Sequence, residues 1–485
     1  METTIETAPL RPWIASYPDG IKWDVDLDTR PVHELSHIIE NAGADVLVTL
    51  DLQQIFEKAE KLVQAGHVKS LVVCHFPDAL PFPKSLLFSL AKRKDLAHPK
   101  RSPIADRITF FHDMIARNET PGAVVIDSRN DIAVQQYTGG TTGIPKGALL
   151  THANISANMS QIDKWGLGLF YPPSKVVAVL PFFHIFAMTV CMNVPLCNGT
   201  QVVMLPRFEL KALLNLLART RANILPAVPT LLNAIARAST ATPEKLASLE
   251  VAISGGAALP DEVRHAFGKK NRATILAEGY GLTEASPVVC CAALRVPSKP
   301  MSIGMPLPGT DIRFVDIDTG QPVGIGRDGE LQVKGAQVMS GYANNTEESE
   351  KAFMDGWLRT GDVGHMDEDG YVFLVDRIKD LIICSGFNVY PRTIEEALMT
   401  HEAVEETNVI GVPDQYRGEA PVAFVKLKPG QTVSEHDLKH YLAERLNKIE
   451  MPKEIIFKDA LPKTLIGKLS KKELRTEYAE TRARK

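Results

Sequence analysis

The chain has 485 residues, 45% hydrophobic and 23% charged, with a formal net charge of −4. That length excludes a single ordinary core. The charge balance excludes a global basic field that would draw the chain to nucleic acid. The six cysteines, Cys74, Cys191, Cys197, Cys290, Cys291 and Cys384, form no C-x-x-C pair and no regular framework. They read as reduced thiols of a cytoplasmic protein. The opening Met1–Glu6 is acidic and lacks an apolar core, so it does not read as a signal peptide.

In chain order, residues 31–75 carry an α-β-α-β pattern. Leu35, Ile38, Ile39 and Ala42 recur at helical spacing, and Val46-Leu47-Val48 reads as a buried strand. A helix over about Leu52–Ala65 and a strand at Ser70–Cys74 follow. Such alternation predicts a parallel sheet with helices on its faces. Residues 77–105, rich in Pro, Lys and Arg, read as a surface excursion. Val124–Ile126 and Ile132–Val134 lead into Tyr137-Thr138-Gly139-Gly140-Thr141-Thr142-Gly143-Ile144-Pro145-Lys146-Gly147. Glycines let backbone N–H groups approach an anion, threonines add hydroxyl donors and Lys146 adds a mobile charge. The order differs from a Walker A loop, because Lys146 stands between Pro145 and Gly147. Taken alone, the stretch fits a polar surface loop as well as a phosphate grip.

Val176–Cys197 holds no Asp, Glu, Lys or Arg and is long enough to cross a bilayer. Pro181, His184, Asn193 and Pro195 interrupt it, so a buried strand followed by a buried helix is the preferred reading. Strands are expected at Val176–Leu180, Val202–Met204, Ile224–Leu225 and Val251–Ile253, with a helix at Leu210–Arg219. Residues 310–375 carry short strands between Gly and Asp turns, a β-rich subdomain. A boundary falls at Asp376–Lys379. Beyond it lies a small α+β module, with a helix from Pro391, an N-cap at Ser434 for a helix to Leu446, and a tail from Lys468 to Lys485 read as a solvated last helix.

Four further clusters accompany the glycine loop. They are Glu278–Glu284 (Glu-Gly-Tyr-Gly-Leu-Thr-Glu), Asp355–Asp362 (Asp-Gly-Trp-Leu-Arg-Thr-Gly-Asp), Asp376–Asp380 (Asp-Arg-Ile-Lys-Asp) and Pro462–Lys468 (Pro-Lys-Thr-Leu-Ile-Gly-Lys). In this order and spacing the set resembles the adenylate-forming superfamily of acyl-CoA synthetases, adenylation domains and beetle luciferases. The resemblance runs from about residue 30 to the C-terminus. Asp355–Lys379, Pro181–Ala187 and Ser385–Pro391 look most like long-chain fatty acyl-CoA synthetases. The Asp that amino-acid-activating domains place near the first cluster to hold an α-amine has no counterpart here.

The resemblance implies an α/β fold, with a large domain over residues 1–377 and a small mobile lid over 378–485. It implies two steps: a fatty acid attacks ATP to give acyl-AMP and pyrophosphate, then coenzyme A displaces AMP. By similarity, Thr138, Gly139, Gly140, Thr141, Thr142, Gly143 and Lys146 would hold the β- and γ-phosphates. Thr283 would donate to the α-phosphate, and Glu284 would help hold Mg²⁺. Tyr280 and Gly281, with Gly255, Gly256 and Ala257, would frame adenine. Asp362 would take the ribose hydroxyls with Arg377 beside it, and Lys468 would meet the reacting carboxylate and α-phosphate. Lys379 would be the pivot, and Gly386 would leave room for the pantetheine arm. His184 would line the acyl or thiol channel, although a satisfied core histidine explains it equally well. Peripheral membrane association and a homodimer are left open.

One departure stands out. Thr29–Leu35 resembles a segment that lies much further along in the family. A block at least the size of a βαβ unit is missing between Asp28 and Arg30. Its loss is expected to expose apolar sheet and helix faces. Three outcomes stay open: an enzyme with a patched or dimerised sheet, a folded nucleotide-binding pseudo-enzyme, and an unstable product. A ligase for aryl or medium-chain acids, or one passing acyl-AMP to another acceptor, is the enzymatic alternative.

Overall fold

A computed structural model describes residues 32–483, apart from 81, 118, 120–121, 139–144, 206–207, 298, 386 and 465–468. Its contacts divide the chain into two compact units. One holds Ala153–Met339 and Ser349–Lys485, and the other holds the described residues up to His152 with Ser340–Glu348.

In the unit that ends at His152, strands β1 (Val46–Leu50), β2 (Ser70–Cys74) and β3 (Ile108–Phe110) form a parallel sheet in the order β1-β2-β3. The helix Gln53–Gln64 covers one face, burying Phe56, Ala59, Leu62 and Val63 against Leu71 and Val73. The other face does not match the buried strand expected from the sequence. Val46 and Val48 on the β1 edge are 52% and 64% exposed. Parallel strands are ordinarily covered on both faces. The same unit carries a hairpin of β4 (Ile132–Thr138) and β5 (Lys146–Thr151), which flanks the glycine loop. Between β3 and β4, Val124–Ile126 form no strand and are exposed.

In the other unit, the main sheet contains β6 (Lys175–Ala178), β7 (Gln201–Met204), β8 (Ile224–Ala227), β9 (Val251–Gly255), β10 (Ile275–Gly281), β11 (Val288–Cys291) and β12 (Met305–Pro306). Its order is β12-β11-β10-β9-β8-β6-β7, parallel from β7 to β10 and antiparallel beyond. The apolar spacing of Leu210–Thr220 puts Leu213, Leu214 and Leu217 on one face, and they share a core with Leu232, Ala252 and Phe267. On the other face Phe170, Val176, Val190, Ile253 and Ala277 pack together. Most of the charge-free run packs against its own sheet, as expected, although Phe183 and Leu196 are exposed. Its helical part is short and irregular, with a π-helical stretch at Met188–Asn193. No helix among the described residues is long and apolar enough to cross a membrane.

Gly304 shows how closely this sheet is joined to the β-rich region. Its φ is +86°, and a Cβ there would lie 2.0 Å from the carbonyl carbon and oxygen of Cys291. Gly304→Ala should lower the thermal midpoint by roughly 3–7 °C, read by calorimetry. An unchanged midpoint would mean that this backbone crossing is not required.

The β-rich region holds β13 (Thr310–Val315), β14 (Gly329–Gly335), β15 (Phe353–Met354), β16 (Trp357–Met366) and β17 (Val372–Arg377), antiparallel in the order β13-β14-β16-β15 with β17 on β16. Further on, β18 (Ile382–Cys384), β19 (Phe387–Val389), β20 (Val404–Asp414), β21 (Gly418–Leu427) and β22 (Glu454–Phe457) form a sheet of their own. The helices Pro391–Met399 and Glu435–Ala443 cover it through Ile394, Leu398, Leu438 and Leu442. Ser434 caps the second helix, its Oγ accepting from the Asp437 N–H at 3.1 Å, though the helix stops at Ala443 rather than Leu446.

The last helix, Lys471–Ala483, differs from the solvated helix expected. Leu474 is fully buried, Lys471 pairs with Glu395 at 3.1 Å, and Arg475 Nη2 donates to Asp380 at 2.9 Å. Its mixed charge pattern hides this, because the acids it meets are far away in the chain.

Candidate active site

β16 and β17 run antiparallel with Asp362 opposite Arg377. Asp362 is 5% exposed. Its Oδ1 accepts from Arg377 Nε at 2.9 Å, and its Oδ2 accepts from the Tyr280 hydroxyl at 2.6 Å. Its own N–H donates to Thr360 Oγ1 at 3.1 Å. Tyr280 reaches this point from β10, the parallel strand beside Gly255. Burial, reinforced by the Asp362 charge, pushes the Tyr280 phenol well up, so it stays a donor through the working range. Asp362 raises Arg377 in turn. An ionised carboxylate offers roughly four acceptor sites. Two are used here, by Tyr280 and Arg377.

The loops around this cluster explain the glycines. A Cβ on Gly255 would lie 3.0 Å from the Phe186 ring, and one on Gly281 would lie 2.0 Å from the Pro287 carbonyl oxygen. Gly256 (φ +83°) lines a small recess with Leu180, Pro181, His184, Phe186 and Val228. His184 caps the helix that follows, its Nδ1 accepting from the Phe186 N–H at 3.3 Å. It therefore has a structural task as well as a place at the recess wall. Ala257, just beyond Gly256, is exposed.

Thr283 and Glu284 form a 3₁₀ turn after β10, and the Glu284 carbonyl accepts from Met339 N–H at 2.8 Å. Among the described residues no group of three His, Cys, Asp or Glu side chains stands ready to hold a metal. A single carboxylate suits Mg²⁺, which binds through one or two carboxylates together with substrate phosphates and water. Glu284 thus fits a metal that arrives with its nucleotide.

In the other unit, Thr138 and Lys146 pair across the base of the β4–β5 hairpin. Lys146 Nζ is held by the Glu348 carboxylate and lies 5.4 Å from the centre of the Tyr342 ring. Gly139, Gly140, Thr141, Thr142 and Gly143 lie outside the described residues, as do Gly386 and Lys468. Lys379 stands in the 3₁₀ turn Ile378–Asp380 between β17 and β18. Sequence reasoning missed Thr360, Glu348 and Arg475. Thr360 sits inside a quoted motif, whereas Glu348 and Arg475 meet their partners across 202 and 95 residues and carry no local signal.

Tyr280, Asp362 and Arg377 thus meet at the end of β10, and the Thr283–Glu284 turn follows directly after that strand. Residues 27–343 match the AMP-binding enzyme family, and residues 393–468 match the AMP-binding enzyme C-terminal domain. The chain is 40% identical over 449 residues to a long-chain-fatty-acid–CoA ligase of Bacillus subtilis (strain 168), covering 92% of this chain and 80% of that protein. It is 35% identical over 460 residues to 4-coumarate–CoA ligase 1 of Oryza sativa subsp. japonica, covering 92% and 76%. ATP-bound MatB from Rhodopseudomonas palustris superposes with a TM-score of 0.74 at 29% identity, over 93% of each chain. The chain belongs to the AMP-binding, adenylate-forming enzyme family. Within it, this is an AMP-forming acyl-CoA ligase that uses ATP, coenzyme A and magnesium.

Proposed function

We propose that the acid activated is a long-chain fatty acid. The carboxylate attacks the α-phosphorus of ATP and pyrophosphate leaves. The thiol of coenzyme A then attacks the acyl carbonyl and AMP leaves, giving the thioester. The observation that supports the site assignment is the Tyr280–Asp362–Arg377 cluster, whose carboxylate is assigned to the ribose hydroxyls. Gly255, Gly256, Ala257, Tyr280 and Gly281 frame the adenine. Thr138, Lys146 and the glycines between them grip the β- and γ-phosphates, with Lys146 exchanging Glu348 for phosphate. Thr283 donates to the α-phosphate. Glu284 would hold Mg²⁺, and the metal would supply positive charge beside the nucleotide oxygens. Lys468 meets the carboxylate and α-phosphate, where negative charge gathers.

Residues 378–485 act as the lid and turn about Lys379. In one orientation Lys468 serves adenylation. In the other the face around Gly386 admits the pantetheine arm. The acyl chain supplies its own affinity, about 0.8 kcal/mol for each methylene buried. The chain-length assignment is supported by the Bacillus relative, and the rice relative supports the aryl-acid reading.

Pyrophosphate release with ATP and Mg²⁺ should rise with chain length across a panel of acids. Coenzyme A should be consumed in equal measure. Preference for a cinnamate-type acid would replace the fatty-acid assignment. Adenylation without coenzyme A consumption would point to another acceptor. ATP binding with no acid turned over would identify a pseudo-enzyme.

A further inference from the structure

The turn bearing Thr283 and Glu284 is held from behind by a belt of buried polar side chains. Ser286, which closes the turn, has φ +69°, a left-handed conformation that is strained for a residue with a Cβ. Its carbonyl accepts from Thr189 Oγ1 at 3.0 Å, and its own Oγ donates to the Gln337 carbonyl at 2.8 Å. Two residues on, Val288 is gripped twice by Asn158. The Val288 N–H donates to Asn158 Oδ1 at 3.0 Å, and Asn158 Nδ2 donates to the Val288 carbonyl at 2.8 Å. Asn158 also donates to Gln161 Oε1 at 3.0 Å. Gln161 Nε2 donates to Gln337 Oε1 at 3.2 Å, and Gln337 Nε2 donates to Thr310 Oγ1 at 2.6 Å. Asn158, Thr189, Ser286 and Gln337 are all fully buried.

Polar groups sealed in a core are costly unless every one finds a partner. Once satisfied, such a network admits few alternative arrangements. An apolar filling would pack these helices and strands with less constraint. What the belt adds is a fixed position for residues 286–288, and through them for the adjoining turn. The left-handed Ser286 points the same way, because local strain persists only where the surroundings over-determine it.

We propose that Asn158, Thr189 and Gln337 are positioning residues for the adenylation step, fixing the Thr283–Glu284 turn against the metal-bound nucleotide. The inference rests on the assignment of Thr283 and Glu284 above. None of the three touches the reacting atoms. Thr189 acts through the Ser286 carbonyl and Asn158 through the Val288 backbone, while Gln337 holds the Ser286 hydroxyl with its backbone carbonyl and steadies Asn158 through Gln161 with its side chain.

The test uses the full chain. Thr189→Val keeps the side-chain shape and removes the donor to Ser286. The magnesium concentration giving half-maximal pyrophosphate release should rise about 3- to 10-fold, and the maximal rate should fall about 10-fold. The thermal shift produced by ATP with Mg²⁺ should shrink, while the midpoint of the ligand-free protein changes by only a few degrees. Thioester formation from supplied acyl-adenylate, which releases no pyrophosphate, should stay within about twofold. Thr189→Ser, which restores the donor, should recover the wild-type magnesium response. Gln337→Met keeps the backbone carbonyl that Ser286 bonds and removes the side-chain partner of Gln161, so it should give the Thr189→Val pattern in a weaker form. Wild-type magnesium dependence and thermal shift in Thr189→Val would overturn the proposal. An equal fall in both half-reactions that tracks lost stability would do the same. Glu284→Gln measured alongside separates the two claims. A normal magnesium response there removes the assignment of Glu284 and the inference with it. A defective Glu284→Gln beside a normal Thr189→Val removes the belt alone.

Discussion

Asp362→Ala should lower kcat/KM for ATP in pyrophosphate release by about 10²- to 10⁴-fold. Hydrogen bonds to a charged acceptor contribute roughly 1.5–3 kcal/mol each. Two such bonds to the ribose give roughly 3–6 kcal/mol, at about 1.4 kcal/mol for each factor of ten. The substitution also strands the Tyr280 hydroxyl and the Arg377 guanidinium, which now share this carboxylate at 2.6 and 2.9 Å. Asp362→Asn is the sharper variant, because it keeps the shape and removes the charge that Arg377 faces. The loss should fall mainly on KM for ATP, since the ribose is held alike before and during the reaction. An Asp362→Asn enzyme with wild-type KM for ATP would show that the cluster is an ion pair serving the fold alone.

Lys468→Ala should divide the two half-reactions. Acyl-adenylate formation should drop by about 10²- to 10³-fold, the scale expected when a charge aimed at the transition state is removed. Thioester formation from supplied acyl-adenylate should continue, because the lid rotation proposed above takes the lysine away from the site before that step. Single-turnover measurements of each step make the comparison directly. Loss of both steps together would end this division of labour and would place Lys468 in a shared structural role.

The two predictions draw on the sequence differently. For Lys468 the argument is carried by its motif and by the chemistry of bringing a carboxylate to a polyanion. For Asp362 the motif named the residue, but the contacts gave it a mechanism. The parallel order in the main sheet was expected from alternating apolar runs and turns, and β7, β6, β8, β9 and β10 follow it. The start at Pro391 and the Ser434 cap were legible because both obey rules local to one turn of helix.

What escaped the sequence is non-local. Val46 and Val48 have the composition of a buried strand, yet they are exposed, since burial depends on what lies over the sheet. Lys471 and Arg475 looked like solvated charges until Glu395 and Asp380 came beside them. Asn158 and Gln337 gave no signal at all, being single polar residues at helix and loop positions 179 residues apart.

The amino-acid sequence by itself carried the ordered motifs whose resemblance pointed to the family and the reaction class. Those are properties of residue type and spacing, which survive without knowledge of neighbours. The tertiary structure alone decided which of those groups meet. It set Tyr280 and Arg377 on Asp362, turned a sheet face of one unit outward, and ran the buried belt behind the Thr283–Glu284 turn. The physical reason is that hydrogen bonds and burial are pairwise and spatial. Each needs a partner that the chain delivers only after it has folded.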